Sequence, residues 1–160
     1  MTAFRRGIRL GIDVGKVRVG VARCDPDGML AVPVETVPRS EASIDRIRQL
    51  AQEWEPLEII VGLPVNMRGE DTPSTTDARD FAAAIARGTG IAVRMVDERL
   101  STVTAHAALR SSGRSQKKSR SIVDQVAAVV FLQHAIDTEK STGTPAGALI
   151  DLDEESVRDD

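Results

Sequence analysis

Residues 8–24 read IRLGIDVGKVRVGVARC. Ile8, Leu10, Ile12 and Val14 alternate with Arg9, Gly11 and Asp13, which is the period of a β-strand. After Gly15-Lys16 the alternation resumes, with Val17, Val19 and Val21 on one face and Arg18, Gly20 and Ala22 on the other. Two strands joined by so short a link form a hairpin. One face carries branched aliphatics and requires a core. The other carries a single carboxylate, Asp13, among Gly11, Gly20 and Ala22. These small neighbours are expected to leave open space above the carboxylate, suited to a metal ion or a phosphate-bearing ligand. Asp13-Val14-Gly15 also reads as the turn of the hairpin itself, since Asp and Gly are ordinary turn residues.

Downstream, Asp25-Pro26-Asp27-Gly28 is a turn, and Met29 to Val37 is a third, antiparallel strand that Pro33 assigns to an edge. Ser40 is expected to cap a helix running to about Trp54, with Ile44, Ile47, Ala51 and Trp54 on one face. Leu57 to Pro64 is nearly all apolar, as in a strand buried on both faces. A loop over Asn66 to Asp71 precedes Thr72-Pro73, the cap and first turn of a helix that Gly88 and Gly90 end. Ile91 to Asp97 is a further strand, and helices follow. The order β-β-β-α-β-α-β predicts an α/β fold: a mixed five-stranded sheet, antiparallel at first and then parallel, with helices on both faces. In such sheets chemistry gathers at the carboxyl ends of the parallel strands.

The chain's 160 residues fit one domain with a real core. No apolar run approaches the roughly 20 residues that cross a bilayer, which argues against a membrane partner. MTAFRRGIRLG lacks the apolar stretch of a secretory leader, and a single cysteine, Cys24, precludes an internal disulfide. Both point to the cytoplasm. The net charge of −3 conceals an asymmetry: DLDEESVRDD, residues 151–160, holds six acids and one arginine. Elsewhere 18 acids face 20 Lys and Arg, so the body is mildly basic. The domain is expected over residues 1–138, with residues 139–160 as an acidic, disordered tail.

Two further carboxylates stand in informative positions. Glu98, within Asp97-Glu98-Arg99-Leu100-Ser101-Thr102, follows a strand at its carboxyl end. The same cluster also reads as a loop ion pair or as a cap, with Ser101 starting the next helix. Asp124 belongs to an apolar helix over Ile122 to Ile136 and shares a face with Ala127, Ala128, Phe131 and Ala135. A buried carboxylate needs a proton, a partner or a metal. Ser121-Ile122-Val123-Asp124 is alternatively a capping box. Taken together, Asp13, Glu98 and Asp124 would make a cage of hard oxygen ligands for Mg²⁺ or Mn²⁺. Phosphodiester hydrolysis uses two such ions ~4 Å apart. No Cys/His spacing suggests zinc, and His106 and His134 are isolated.

Arg110 to Ser121 holds five bases, Arg110, Arg114, Lys117, Lys118 and Arg120, with five serines and no acid. As a flexible loop beside Asp124 it is expected to clamp a phosphate backbone, although a solvated charge run has the same composition. Aromatic content of 2% and the absence of Tyr leave no platform for stacking single-stranded bases. That favours structured RNA or branched DNA recognised by shape.

Four motifs in order resemble the YqgF/RuvX family, a bacterial branch of the RNase H-like nuclease and resolvase fold. They are Asp13-x-Gly15-x-x-Arg18-x-Gly20-x-Ala22, Gly62-Leu63-Pro64-x-x-Met67-x-Gly69, Asp97-Glu98-Arg99-x-Ser101-Thr102, and Asp124-x-x-Ala127-Ala128 followed by Leu132-Gln133. The resemblance implies a metal-dependent nuclease in which Asp13, Glu98 and Asp124 hold the ions. It further implies that Arg18, Lys117, Lys118 and Arg120 face the nucleic acid. Arg68 stands where the family commonly has an acid, and the acidic tail lies outside its pattern. The family is linked to the 5′ end of precursor 16S ribosomal RNA and to four-way DNA junctions. The weakly basic body and the lack of a marked dimer interface favour the ribosomal RNA. A junction resolvase would need a homodimer rather than a monomer. Two other classes remain open. One is a non-catalytic nucleic-acid-binding scaffold. The other is an actin-like phosphate-binding domain, whose relatives need two such domains where this chain has one.

Overall fold

The computed structural model describes residues 4–100 and 116–152; for residue 100 and residues 116–124 it describes the backbone course alone. The opening hairpin forms as its alternation predicts. β1 (Arg9–Val14) and β2 (Arg18–Cys24) pair antiparallel, with Asp13 opposite Gly20 and Gly11 opposite Ala22. β3 (Ala31–Pro38) pairs antiparallel with β2 and lies at the sheet edge, where Pro33 withholds no needed donor. β4 (Glu58–Leu63) and β5 (Val93–Asp97) add in parallel beside β1. A short strand β6 (Ala148–Leu149) then pairs antiparallel with β5. Among the described residues the order is β3-β2-β1-β4-β5-β6, so the sheet has six strands rather than the five expected. A two-residue strand carries no alternation to read, and this one exists because Gly147, at φ 75°, turns the chain back onto Met95.

Helices cover both faces. Leu10, Ile12, Ile59, Val61, Val93 and Met95 point to one side and pack on α1 (Ser43–Trp54) and α2 (Pro73–Thr89). Ala22, Ile60 and Val96 point to the other and pack on α3 (Gln116–Thr142) through Ala127, Ala128, Phe131, Leu132, Ala135 and Ile136. This is an RNase H-like α/β arrangement. α2 opens as its sequence prescribes: Thr72 caps Thr75, the Thr75 hydroxyl reciprocates, and Pro73 occupies the first turn. α1 differs. Its N-cap is Ala42, and the Ser40 hydroxyl accepts from the Ala42 N–H within the preceding turn instead of capping the helix.

α3 is longer than its apolar core. It begins at Gln116, so Lys117, Lys118 and Arg120 lie on its first turns and not in a loop. Ser121 lies inside the helix, which removes the capping-box account of Asp124. Serines and bases tolerate a helical backbone when a strongly packed apolar segment follows, and propensity yields to that packing. At its other end α3 passes residue 138 and continues to Thr142. There Glu139 is buried against Arg5 and Arg9, while Ile150 and Leu152 pack on the core beyond it. The domain therefore extends through Leu152, and the expected tail from residue 139 is built into the fold that far. Residues 153–160, like Arg110, Arg114, Ser101 and His106, lie outside the described residues.

Candidate active site

β1, β4 and β5 run parallel as neighbours, so their carboxyl ends open on one side of the sheet. Asp13 is the penultimate residue of β1, and Glu98 follows directly on β5, opening a 3₁₀ turn (Glu98–Leu100). Strand parity settles which face Asp13 occupies. Arg9, Gly11 and Asp13 alternate with the core residues Leu10 and Ile12, and Gly11 lies beneath α3, so Asp13 stands on the α3 side. Val96, two residues before Glu98, packs on α3 as well. The register pairs Ile12 of β1 with Val61 of β4 and Gly62 with Val96 of β5, so Asp13 stands level with Gly62 and Val96. Two strand spacings of ~4.8 Å and a rise of two residues therefore separate Asp13 from Glu98, roughly 12 Å between Cα atoms. Both side chains are partly exposed.

The third acid is brought to the same end by a seam of small residues. A Cβ on Gly11 would lie 2.8 Å from the Ala128 carbonyl oxygen and 2.9 Å from the Leu132 Cβ, and one on Gly62 would run into the Phe131 ring. The space over Gly11, one of the small residues near Asp13, is thus filled by α3. Glu139 meets Arg9 at the start of β1, and Ala128 meets Gly11 further along, so α3 runs antiparallel to β1. Asp124 is one helical turn before Ala128, toward the end of β1 that carries Asp13. Its side chain lies outside the described residues. Among those residues no group of three His, Cys, Asp or Glu is gathered to hold a metal. Glu98 and Asp13 supply hard oxygen donors, the chemistry that suits Mg²⁺ or Mn²⁺.

Two arginines brace the loops around this end, and sequence reasoning missed both roles. Arg39 donates to both oxygens of Asp77 on α2 (2.8 and 2.9 Å) and to the Gly15 carbonyl (2.9 Å), and its guanidinium stacks on Phe81 at 4.6 Å. It thereby ties the β1–β2 turn, two residues beyond Asp13, to α2. The Arg39 hydrogen bonds hold the Asp77 carboxyl below its usual range. No local signal links positions 38 residues apart. Arg99 chelates Asp97 (2.6 to 3.1 Å) and reaches the Met67 carbonyl at 3.4 Å, so Asp97 serves Arg99 and not a metal. The Arg99 guanidinium holds the Asp97 carboxyl below the usual carboxylate range. Here the Asp97-Glu98-Arg99 motif carried the signal, but its partner loop could not be read from it. Arg18 opens β2 beside this end of the sheet, half-buried and opposite Pro38. His134 is half-buried on α3, away from Asp13.

The chain is similar to known proteins over most of its length. A protein from Clavibacter sepedonicus named "Putative pre-16S rRNA nuclease" is 53% identical over 150 residues, covering 92% of this chain and 93% of that protein. One of the same name from Streptomyces coelicolor is 49% identical over 93% of this chain and 91% of its own length. The structure of Thermus thermophilus RuvC in complex with a Holliday junction substrate superposes with a TM-score of 0.56. That superposition covers 86% of this chain and 99% of RuvC at 16% identity, a likeness of fold. The model of one family, RuvX, described as Holliday junction resolvase, matches residues 7–138, and the chain belongs to that family.

Proposed function

We propose that this protein is a metal-dependent nuclease that hydrolyses phosphodiester bonds in structured nucleic acid, and that it trims the 5′ end of precursor 16S ribosomal RNA in the cytoplasm. The observation that carries the reading is the emergence of Asp13 and Glu98 at the carboxyl ends of β1 and β5, on either side of β4, at the end of the sheet toward which α3 carries Asp124. The names of the relatives support the nuclease class and the ribosomal substrate. No described helix is long and apolar enough to cross a membrane.

Asp13, Glu98 and Asp124 would hold the divalent ions, Mg²⁺ or Mn²⁺. When bound, such ions activate a water and stabilise the departing oxygen. The chain's own residues bind and orient. Lys117, Lys118 and Arg120 on the first turns of α3, with Arg110 and Arg114 before it, neutralise backbone phosphates. Arg18 meets the same backbone from β2. Arg39 and Arg99 keep the flanking loops in position, so little reorganisation is needed when substrate arrives.

The description of the family model favours a second substrate, the four-way DNA junction. Both substrates should be incubated with the full chain and Mg²⁺ or Mn²⁺, with Asp13→Asn as control. Metal-dependent shortening of a 5′-extended 16S precursor supports the reading. Paired, symmetric nicking of the junction with the RNA left intact replaces it by the resolvase reading. Tight binding that survives Asp124→Ala, with no cleavage of either substrate, leaves only a scaffold.

A further inference from the structure

The loop between β4 and α2 carries Met67. β4 lies between β1 and β5, so this loop opens between the strand that carries Asp13 and the one that leads to Glu98. It is closely tied. The Asn66 N–H donates to the Glu70 carbonyl (3.0 Å), and the Gly69 N–H to the Asn66 carbonyl (2.9 Å). The Asn66 side-chain oxygen accepts from the N–H groups of Arg68 and Glu70 at 2.9 Å each. Val65 and Asp71 close its base as an antiparallel bridge. Arg99, anchored on Asp97, donates to the Met67 carbonyl and lies over Gly69.

This fixed turn leaves the Met67 side chain 88% exposed. Single exposed apolar residues are ordinary. Here, however, the backbone is pinned from both sides, beside the candidate active site, with Val17 exposed on the adjacent β1–β2 turn. A thioether on an unbranched chain adapts to flat π faces and to ribose edges. Aromatic side chains, the usual platform for such surfaces, make up only 2% of the chain.

We propose that Met67 is a substrate-contacting prong, held out by the braced β4–α2 loop to pack against a base or sugar of the nucleic acid next to the scissile phosphate. The inference rests on the nuclease reading and deepens it: charge on α3 holds the backbone, and Met67 supplies a contact that salt does not screen.

The test uses the full chain and whichever substrate the wild type cleaves, the 5′-extended 16S precursor or the four-way junction. Met67→Ala should raise KM and Kd roughly three- to tenfold. kcat and Tm should stay at wild-type values, and Met67→Leu should recover most of the binding. The slope of log Kd against log salt should match the wild type, because no counterion is displaced by a thioether. Wild-type KM and Kd for Met67→Ala would overturn the proposal, as would a loss confined to kcat or a Tm lowered by several degrees. A wild type that binds and cleaves neither nucleic acid would overturn the nuclease reading along with it; an active wild type with an indifferent Met67→Ala overturns the prong alone.

Discussion

At the amino ends of β1, β4 and β5, Arg9, Glu58 and Arg94 stand on adjacent strands, and Glu139 of α3 closes over them. Glu58 pairs with Arg5 (3.1 Å) and Arg94 (2.7 Å), and Glu139 pairs with Arg5 (2.7 Å) and Arg9 (3.0 Å). The Arg9, Glu58 and Glu139 side chains are at most 4% exposed. At the carboxyl ends of the same strands, Asp13 and Glu98 are partly open to solvent. One pole thus compensates every buried carboxylate with guanidinium. The other keeps its acids within reach of incoming charge. On the proposed reading the first pole serves stability and the second chemistry, and substitutions at each should separate the two properties.

The largest effect is expected at the carboxyl end. Asp13→Asn and Glu98→Gln should each reduce metal-dependent cleavage by at least roughly 10²-fold, because each would remove a charged oxygen ligand from the proposed metal site. Their melting temperatures should equal or exceed the wild type, since fewer like charges then face one another without metal. Parallel cleavage assays and thermal melts check both halves. An Asp13→Asn protein that melts far below the wild type would mark Asp13 as structural and erase the contrast.

Glu139→Ala should do the reverse. It leaves Arg9 buried without its carboxylate, a change that costs about 3–5 kcal/mol. For a chain of this size that is a Tm loss of roughly 10 °C or more, read by calorimetry. Cleavage at a temperature where the variant is folded should stay near the wild-type rate. Gly62→Ala, at the carboxyl end of β4, should touch both properties: a methyl driven into the Phe131 ring should cost about 1–3 kcal/mol. It should lower cleavage as well, because α3 carries Asp124.

The same contrast explains what the sequence could disclose. The hairpin, the order of strands and helices, and the carboxyl-end location of Asp13 and Glu98 follow from local alternation and chain order, which a single sequence displays. β6 and the arginine braces depend on contacts between distant positions. Arg39 reaches Asp77, and Glu139 reaches Arg5 across 134 residues. No periodicity encodes such partners. The serine- and base-rich start of α3 resembles a loop in composition, and only the packed segment after Asp124 makes it helical. Gly11 and Ala22 were legible as small residues near Asp13, but not that they admit α3.

Acid should expose the compensated pole first. Burial pushes the Glu139 carboxyl up, but the hydrogen bonds from Arg5 and the charge of Arg9 outweigh it and leave the group below its usual range. A depressed folded value means that this stabilisation is complete above the ordinary glutamate value of about 4.3 and fades as pH falls through the lower, folded one. Asp77 and Asp97, held down by Arg39 and Arg99, act in the same direction. The wild type should therefore lose Tm steeply below pH ~4, while Glu139→Gln, already lacking the pair, should show a shallower decline. Equal slopes in the two proteins would shift the acid sensitivity to the braces at the other end.

The smallest change is expected from the bases on the first turns of α3. If they meet phosphate, Lys117→Ala and Lys118→Ala should each lower the slope of log Kd against log salt by about 0.7 to 0.9, one counterion apiece. Affinity should weaken only severalfold at moderate salt, and Tm should not change. Met67→Ala gives the complementary pattern, weaker binding at an unchanged slope. The double variant Lys117→Ala/Met67→Ala should then combine both losses additively, as expected of contacts that share no partner. Strong non-additivity would mean that α3 and the β4–α2 loop grip the same nucleotide, which would bring the clamp and the prong to one side of the scissile phosphate.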